Sequence, residues 1–150
     1  RGFFGFDKEE GLKYILISEK GCADPSTEYS LELTDGLLPL DTHTFDKDAL
    51  IIENEQIHKV TLYTKEKKAY LSLHFHAPVA GKGIVCNVEG FPYKLIWSAL
   101  AKPVRFVCIE PWYGRCDRAH YTGEYKDKGW MQHLQPKETF KGGYTIEINE

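Results

Sequence analysis

Short segments with the alternating or β-branched pattern of strands follow one another along almost all of this 150-residue chain. Gly, Pro and Asp turns separate them, and no segment has a sustained apolar stripe at helical spacing. The residues Ser98–Lys102 predict a short helical turn at most. This pattern predicts an all-β fold, an antiparallel sandwich or barrel, and the pattern alone does not distinguish the two. The predicted strands are Lys13–Ser18, Tyr29–Thr34, Ala49–Glu53, Lys59–Thr64, Ala69–His76, Ile84–Val88, Lys94–Trp97, Val104–Ile109 and Gly143–Ile148.

No repeat or linker divides the chain, so residues 1–150 are predicted to form a single β-sandwich domain. Within it, Asp35 and Gly36 predict a hairpin-type turn, and the charged segment Lys65–Lys68 predicts an exposed turn. The sequence opens with RGFF, which is typical of the middle of a strand or loop. An alternative is therefore that the chain is a fragment or a processed product.

Composition narrows the classes of protein that this chain can belong to. It is 42% hydrophobic and 13% aromatic, too apolar for a disordered chain. Its net charge of −3 gives no basic footprint for nucleic acid. Its apolar runs are too short to span a bilayer. We therefore expect neither a nucleic acid nor a membrane as a partner. The four cysteines, which form no CxxC pair, favour thiols in a reducing cytoplasm and hence a cytoplasmic location. They are Cys22, Cys86, Cys108 and Cys116.

The segment Phe106–Asp117 is the densest candidate for chemistry. An apolar strand runs into Glu110, which is followed by Trp112 and a glycine turn. A carboxyl group beside aromatic rings is expected to have a raised pKa, which suits a general base near neutral pH. Trp112 and Tyr113 offer flat apolar faces to a sugar, and Arg115 and Asp117 offer hydrogen bonds or a counter-charge.

An alternative for Glu110 is purely structural. The carboxylate would pair with Arg115 or Arg105 and close a loop, because structural ion pairs also perturb carboxylates.

The two acidic residues Asp46 and Asp48 also have a structural alternative. Asp46 and Asp48 precede a buried strand, where an acid often caps a turn, although either could reach the same cleft as Glu110.

His74 and His76 alternate along a strand and therefore share one face. Two such imidazoles could ligate a metal together with a third group. No third ligand is evident nearby, so a solvent-facing pair flanking Phe75 is the favoured interpretation. We predict no metal site and no organic cofactor.

Several motifs resemble the aldose 1-epimerase (galactose mutarotase) superfamily, and its LacX-like bacterial branch in particular. The most specific is Ile109-Glu110-Pro111-Trp112. Supporting motifs are Phe91-Pro92-Tyr93, Ile96-Trp97, Gly114 with Asp117, and the closing segments Leu134–Phe140 and Tyr144–Ile148. The Phe45–Ile52 segment also resembles that branch, so the similarity runs from about Phe45 onward.

The resemblance implies a supersandwich, an antiparallel β-sandwich that interconverts the α and β anomers of a free hexose. It implies that Glu110 takes the proton of the anomeric hydroxyl while a histidine protonates the ring oxygen. Asp48 would bind the sugar, with Asp46 a near alternative. Trp112, Arg115 and Asp117 are the other predicted substrate-binding residues.

This chain departs from the family pattern at the histidine that acts as the general acid. The family's acid lies in a His-x-x-Phe-Asn motif, upstream in a chain about twice as long, and the motif does not occur here. A base without its acid loses roughly 10²–10⁴-fold in rate. By this resemblance the chain looks like the C-terminal half of a larger sandwich. We therefore expect little activity from this chain alone, and a missing N-terminal half or a partner chain. The alternatives are a non-catalytic carbohydrate-binding sandwich and a structural β-domain.

Overall fold

The computed structural model describes residues 2–18, 21–41, 43–76, 83–87 and 107–149, with side chains in all of these except 83–87. Ten strands within these residues form two five-stranded sheets whose neighbouring strands all pair antiparallel. The predicted all-β antiparallel fold is therefore confirmed. The strands are β1 Gly2–Phe6, β2 Lys13–Ile17, β3 Ala23–Ser30, β4 Leu37–Leu40, β5 Leu50–Ile52, β6 Lys59–Tyr63, β7 Ala69–Phe75, β8 Gly83–Asn87, β9 Cys108–Trp112 and β10 Tyr144–Ile148.

The first sheet has the strand order β10-β7-β6-β1-β4, and the second has the order β3-β2-β5-β8-β9. A 3₁₀ turn, Tyr125–Asp127, lies in the long connection between β9 and β10. Among the described residues, no helix is long and apolar enough to cross a bilayer.

The main core lies between the two sheets. Alternate residues of β6 and β7 face inward, so Val60, Leu62, Leu73 and Phe75 are buried. Phe4 of β1 is fully buried among them. Strand β4 of the same sheet supplies Leu38, β5 of the other sheet supplies Leu50 and Ile52, and the connections supply Leu12 and Ile57.

The opposite face of the first sheet holds a small buried polar network. The hydroxyl oxygens of Thr61 and Ser72 lie 2.9 Å apart across the β6–β7 pair. The amide nitrogen of Asn149, just after β10, donates to Ser72 at 3.0 Å. Both hydroxyls are nearly inaccessible to solvent, so this pairing satisfies groups that would otherwise be costly to bury.

Strand β5 is buried on both faces. Leu50 and Ile52 join the main core, whereas Ile51 belongs to a second cluster with Ile15 and Ala23. The chain beyond β9 covers this second cluster. There the backbone N–H of Ala23 donates to the Asp117 carbonyl at 2.8 Å, and the N–H of Ala119 donates to the Ala23 carbonyl at 2.8 Å.

Several sequence predictions match the observed strands closely. The patterns predicted β2, β5, β6, β7, β8 and β10 to within a residue or two at each end. The predicted Asp35–Gly36 turn is also confirmed, because Thr34 and Leu37 exchange backbone hydrogen bonds and both turn residues have positive φ. The predictions Lys94–Trp97 and Ser98–Lys102 lie outside the described residues.

Other boundaries were wrong, mostly at sheet edges. The alternating segment Tyr29–Thr34 was predicted as a strand, but β3 ends at Ser30, and its sequence ADPSTEYS is mostly polar and exposed. Leu31 and Leu33 instead pack against the core as half-buried residues after the strand. The strand predicted to end at Ile109 continues to Trp112, because an edge strand tolerates Pro111. Neither β1 nor β4 was predicted.

Removing the Phe4 ring is expected to destabilise the fold strongly. The variant Phe4→Ala leaves a cavity at a fully buried position, so we expect the free energy of unfolding to fall by about 3–5 kcal/mol. Urea denaturation followed by Trp fluorescence measures it. The matched control is Tyr125→Ala, whose ring is 75% exposed and whose loss is expected to change stability by less than about 0.5 kcal/mol. Equal effects of the two substitutions would contradict this core.

Candidate functional site

A cavity of about 440 Å³ opens where the ends of several strands meet. Its walls come from the end of β7, the end of β9, the segment after β5, and the chain that leads into β10. This volume is within the range of small-molecule binding sites. The lining residues are Ile52, Glu55, Gln56, Ile57, Phe75, His76, Pro111, Trp112, Tyr113, Phe140, Gly142, Gly143 and Tyr144.

One wall of the cavity is aromatic and held rigidly. The rings of Tyr113 and Phe140 meet edge to face, with centroids 5.0 Å apart and planes at 89°. The backbone N–H of Gly143 donates to the Tyr113 hydroxyl at 2.7 Å. A Cβ atom at Gly142 would lie 2.7 Å from the Tyr113 ring, so only glycine allows the chain to approach this closely. Trp112 adds an indole that is 37% exposed.

The polar groups of the cavity lie on other walls. The His76 imidazole is hydrogen-bonded to the Thr145 hydroxyl. The Gln56 amide is occupied, because it donates to the carbonyls of Lys13 and Glu53 and accepts from the Lys13 N–H. Glu55 is half-buried and has no hydrogen bond or ion pair with any described residue. Its carboxylate is therefore an acceptor that remains available to a ligand.

Glu110 lies beside the cavity rather than in its wall. It is half-buried in the middle of β9, opposite Val85 in the register, and it is not among the lining residues. Strand alternation places its side chain on the same face of β9 as Trp112. Glu110 makes no ion pair with Arg115, and Arg105 lies outside the described residues. The catalytic role of Glu110 stays a prediction.

Arg115 forms a buried ion pair with Glu53. Its Nε atom lies 2.5 Å from the Glu53 carboxylate, and both side chains are only about one-tenth exposed, 10% and 11%. The contact is not an aligned hydrogen bond, since Glu53 Oε1 and Arg115 Nε and Nη1 have no hydrogen-bond partner among the described residues. Burial raises the pKa of Glu53 above its ordinary value, although the nearby guanidinium of Arg115 lowers it. The pair fastens the chain after β9 to the end of β5.

The predicted acidic ligands of the sugar lie away from the cavity. Asp117 contacts the ammonium group of Lys128 at 2.7 Å. Asp48 is exposed, has a left-handed backbone (φ 70°) and accepts a hydrogen bond from the Ala49 N–H at 2.6 Å. Asp46 is also exposed, and its carboxylate raises the pKa of His43 by accepting a hydrogen bond from the imidazole. Of the residues predicted to contact a sugar, Trp112 and Tyr113 line this cavity, whereas Asp48, Arg115 and Asp117 do not.

The two predicted strand histidines have different partners. The His74 imidazole lies 2.6 Å from the Glu147 carboxylate on the neighbouring strand β10, whereas His76 contacts Thr145 and lines the cavity. No group of three His, Cys, Asp or Glu residues in the described part of the chain could hold a metal ion.

Sequence reasoning did not identify most of the cavity. It singled out His76 for a different chemistry and did not identify Glu55, Phe140 or Tyr144. These residues come from loops and strand ends that are distant in sequence. The signal that was available is the Gly142-Gly143 pair, since adjacent glycines often allow a close backbone approach.

No protein-family model matches this sequence, and neither a curated protein nor a solved structure is significantly similar to it. Function is therefore inferred from the cavity and from the motif resemblance.

The ion pair between Glu53 and Arg115 generates a prediction about stability. Each single substitution, Glu53→Gln or Arg115→Met, leaves one charged or strongly polar group buried without its partner, so we expect a loss of about 3–5 kcal/mol. The double substitution removes both charges and should cost clearly less than the sum of the two. Urea denaturation of all four proteins gives the coupling energy. Strictly additive losses would show that the two groups do not interact.

Proposed function

We propose that the cavity binds a carbohydrate of about hexose size. The observation that carries this is that aromatic rings and a few polar side chains line the same cavity. Trp112, Tyr113 and Phe140 offer flat apolar surfaces, while His76 and Glu55 offer a hydrogen-bonding group each. A sugar ring has an apolar C–H face and a rim of hydroxyl groups, so it matches both kinds of surface. Small-molecule sites generally combine apolar walls with a few polar groups in this way.

The polar and aromatic groups have distinct tasks in this proposal. The partly exposed Trp112 indole stacks on the C–H face of the ring. The Glu55 carboxylate, which has no hydrogen bond or ion pair with another described residue, accepts hydrogen bonds from hydroxyl groups, and such charge-assisted bonds are stronger than neutral ones. The hydrogen bond between Gly143 and Tyr113 keeps the Tyr113–Phe140 wall in place before the ligand arrives, which lowers the ordering cost of binding.

Sugar binding is expected to depend on the Trp112 indole. With glucose and galactose as probes, titration by calorimetry should detect binding that weakens about tenfold or more in Trp112→Ala, because a stacked aromatic surface is lost. The Tyr125→Ala variant is the control, since its exposed ring lies outside the cavity and its affinity should equal that of the unaltered chain. Unchanged affinity in Trp112→Ala, or no binding of either sugar, would reject this site.

A second candidate function is catalysis of anomer interconversion. Two points support it, the position of Glu110 on the same face of β9 as Trp112 and the resemblance to the aldose 1-epimerase superfamily. Glu110 accepts the proton of the anomeric hydroxyl, an acid protonates the ring oxygen, and the bond between the anomeric carbon and the ring oxygen breaks. Rotation of the aldehyde and closure on its other face return both protons and give the other anomer.

The finer assignments belong to the same proposal. On the resemblance, the fold is a supersandwich of the LacX-like branch, the location is the cytoplasm, and a further N-terminal portion or partner chain supplies the acid. Asp48, Arg115 and Asp117 would contact the substrate only in such a larger assembly, because none of them lines the cavity here. No metal or organic cofactor takes part in the proposed proton transfers.

Catalysis, if present, is expected to depend on Glu110 and on an added acid. Polarimetry of freshly dissolved α-glucose measures the protein-dependent rate, and imidazole buffer stands in for the missing acid. The protein-dependent rate should rise with imidazole concentration, and Glu110→Gln should lower it about 100-fold or more while sugar binding persists. Buffer without protein corrects for catalysis by imidazole itself. Equal rates for Glu110→Gln and the unaltered chain would leave the binding function alone.

A further inference from the structure

The four edges of the two sheets are not protected equally. Strands β3, β4 and β9 each lie at the end of a sheet and each contain a proline, at Pro25, Pro39 and Pro111. Proline lacks the N–H that a neighbouring strand would need, so it discourages pairing with another chain. The fourth edge strand, β10, has the sequence YTIEI, with no proline, lysine or bulge. It is the one edge of the described sheets without proline, and its single charged side chain, Glu147, is paired with His74 of β7.

This unprotected edge also carries exposed apolar side chains. Tyr144, Ile146 and Ile148 are 55%, 55% and 70% exposed. Their register partners on β7 are Phe75, Leu73 and Leu71, two of which are buried in the main core. The inner face of the first sheet thus continues onto β10, but there it faces solvent. Contiguous apolar residues on an edge strand are typical of an interaction surface.

The backbone hydrogen bonds show which groups of β10 point outward. The N–H of Asn149 donates to the Tyr70 carbonyl at 3.1 Å, so this residue pair is a hydrogen-bonded one. Hydrogen-bonded pairs alternate along an antiparallel ladder, which places Glu147 and Thr145 in such pairs as well. The N–H and C=O groups of the three apolar residues therefore point away from β7, toward the open edge. Among the described strands, none pairs with them.

We infer that β10 pairs antiparallel with β10 of a second copy of this chain, about a two-fold axis at Ile146. In this register Ile146 faces Ile146 of the partner subunit and Tyr144 faces the partner subunit's Ile148. All of these residues present their outward backbone groups, and aromatic and β-branched residues pair favourably across strands. The two first sheets then join into one continuous sheet, and the axis limits the assembly to a dimer.

Charge favours the register with its axis at Ile146 over the register with its axis at Glu147. Thr145 faces the partner subunit's Glu147, so no two like charges are opposed, and each Glu147 keeps its own His74. An axis at Glu147 would instead place two carboxylates directly opposite each other, which is destabilising. The inference concerns an interface and does not depend on the proposed sugar binding.

Sedimentation equilibrium of the 150-residue chain tests the assembly. We expect the unaltered chain to be dimeric at a concentration of about 100 μM. We expect Ile146→Pro to be monomeric, since the proline removes an N–H that points outward and makes no bond to β7. Circular dichroism and the thermal midpoint check that this variant still folds. The control Ile146→Val keeps the N–H and an apolar side chain and should remain a dimer. A monomeric unaltered chain, or an open-ended series of larger species, would overturn the inference.

Cross-linking tests the register without requiring a proline variant. Hydrogen-bonded antiparallel pairs have Cα atoms about 5.5 Å apart, which a disulfide can span. Under mild oxidation, Ile146→Cys should give a covalent dimer on a non-reducing gel well above the level of the unaltered chain. Thr145→Cys should not, because it faces the partner subunit's Glu147. Equal cross-linking of both variants, or none with Ile146→Cys, would reject the proposed axis.

Discussion

The burial of β5 on both faces is the constraint on which the rest of the structure depends. Leu50 and Ile52 face the other sheet, while Ile51 needs a separate cover, which the chain after β9 provides. Covering Ile51 brings that chain over the end of β5, where Arg115 meets Glu53 away from water. The same path brings Tyr113 to the cavity. A hydrophobic requirement of one short strand therefore positions both a buried charge pair and an aromatic wall.

The buried charge pair is stabilising only as a unit. Two charges removed from water are costly unless each neutralises the other, and here the carboxylate still has a raised pKa. Hydrophobic side chains of similar size would serve as well for packing. Among the described residues the acidic partner of Arg115 is Glu53 at the end of β5, so we expect the two charges to make the position of the loop specific. The cavity wall next to this loop benefits from that specificity.

Local sequence patterns predicted six of the ten described strands closely, but they missed the interior strand β1 and most of the site. Apolar and polar residues alternate along β6 and β7 because each strand has one face toward the core and one outer face. This alternation located both strands. The edge strands carry proline and polar residues that suit solvent, and for that reason β3, β4 and β9 were misplaced or missed. Trp112 was recognised because it follows a strand directly. Glu55 and Phe140 were not, since only tertiary packing brings loops so distant in sequence together. The sequence suggested Glu110 as a partner for Arg115, but the observed partner is Glu53. This pair is also formed only by tertiary packing, since the two residues are distant in sequence.

The connection that ends at β10 determines when, during synthesis of the chain, the cavity is completed relative to the core. The core around Phe4 and Val60 draws on residues that are translated early, but Phe140, Gly143 and Tyr144 complete the cavity. A ribosome-bound chain that stops short of these residues would already contain most of its hydrophobic interior and would still lack one side of the cavity. Under the function proposed above, sugar binding would therefore require that synthesis has passed this point, and shorter translation products would not compete for the sugar.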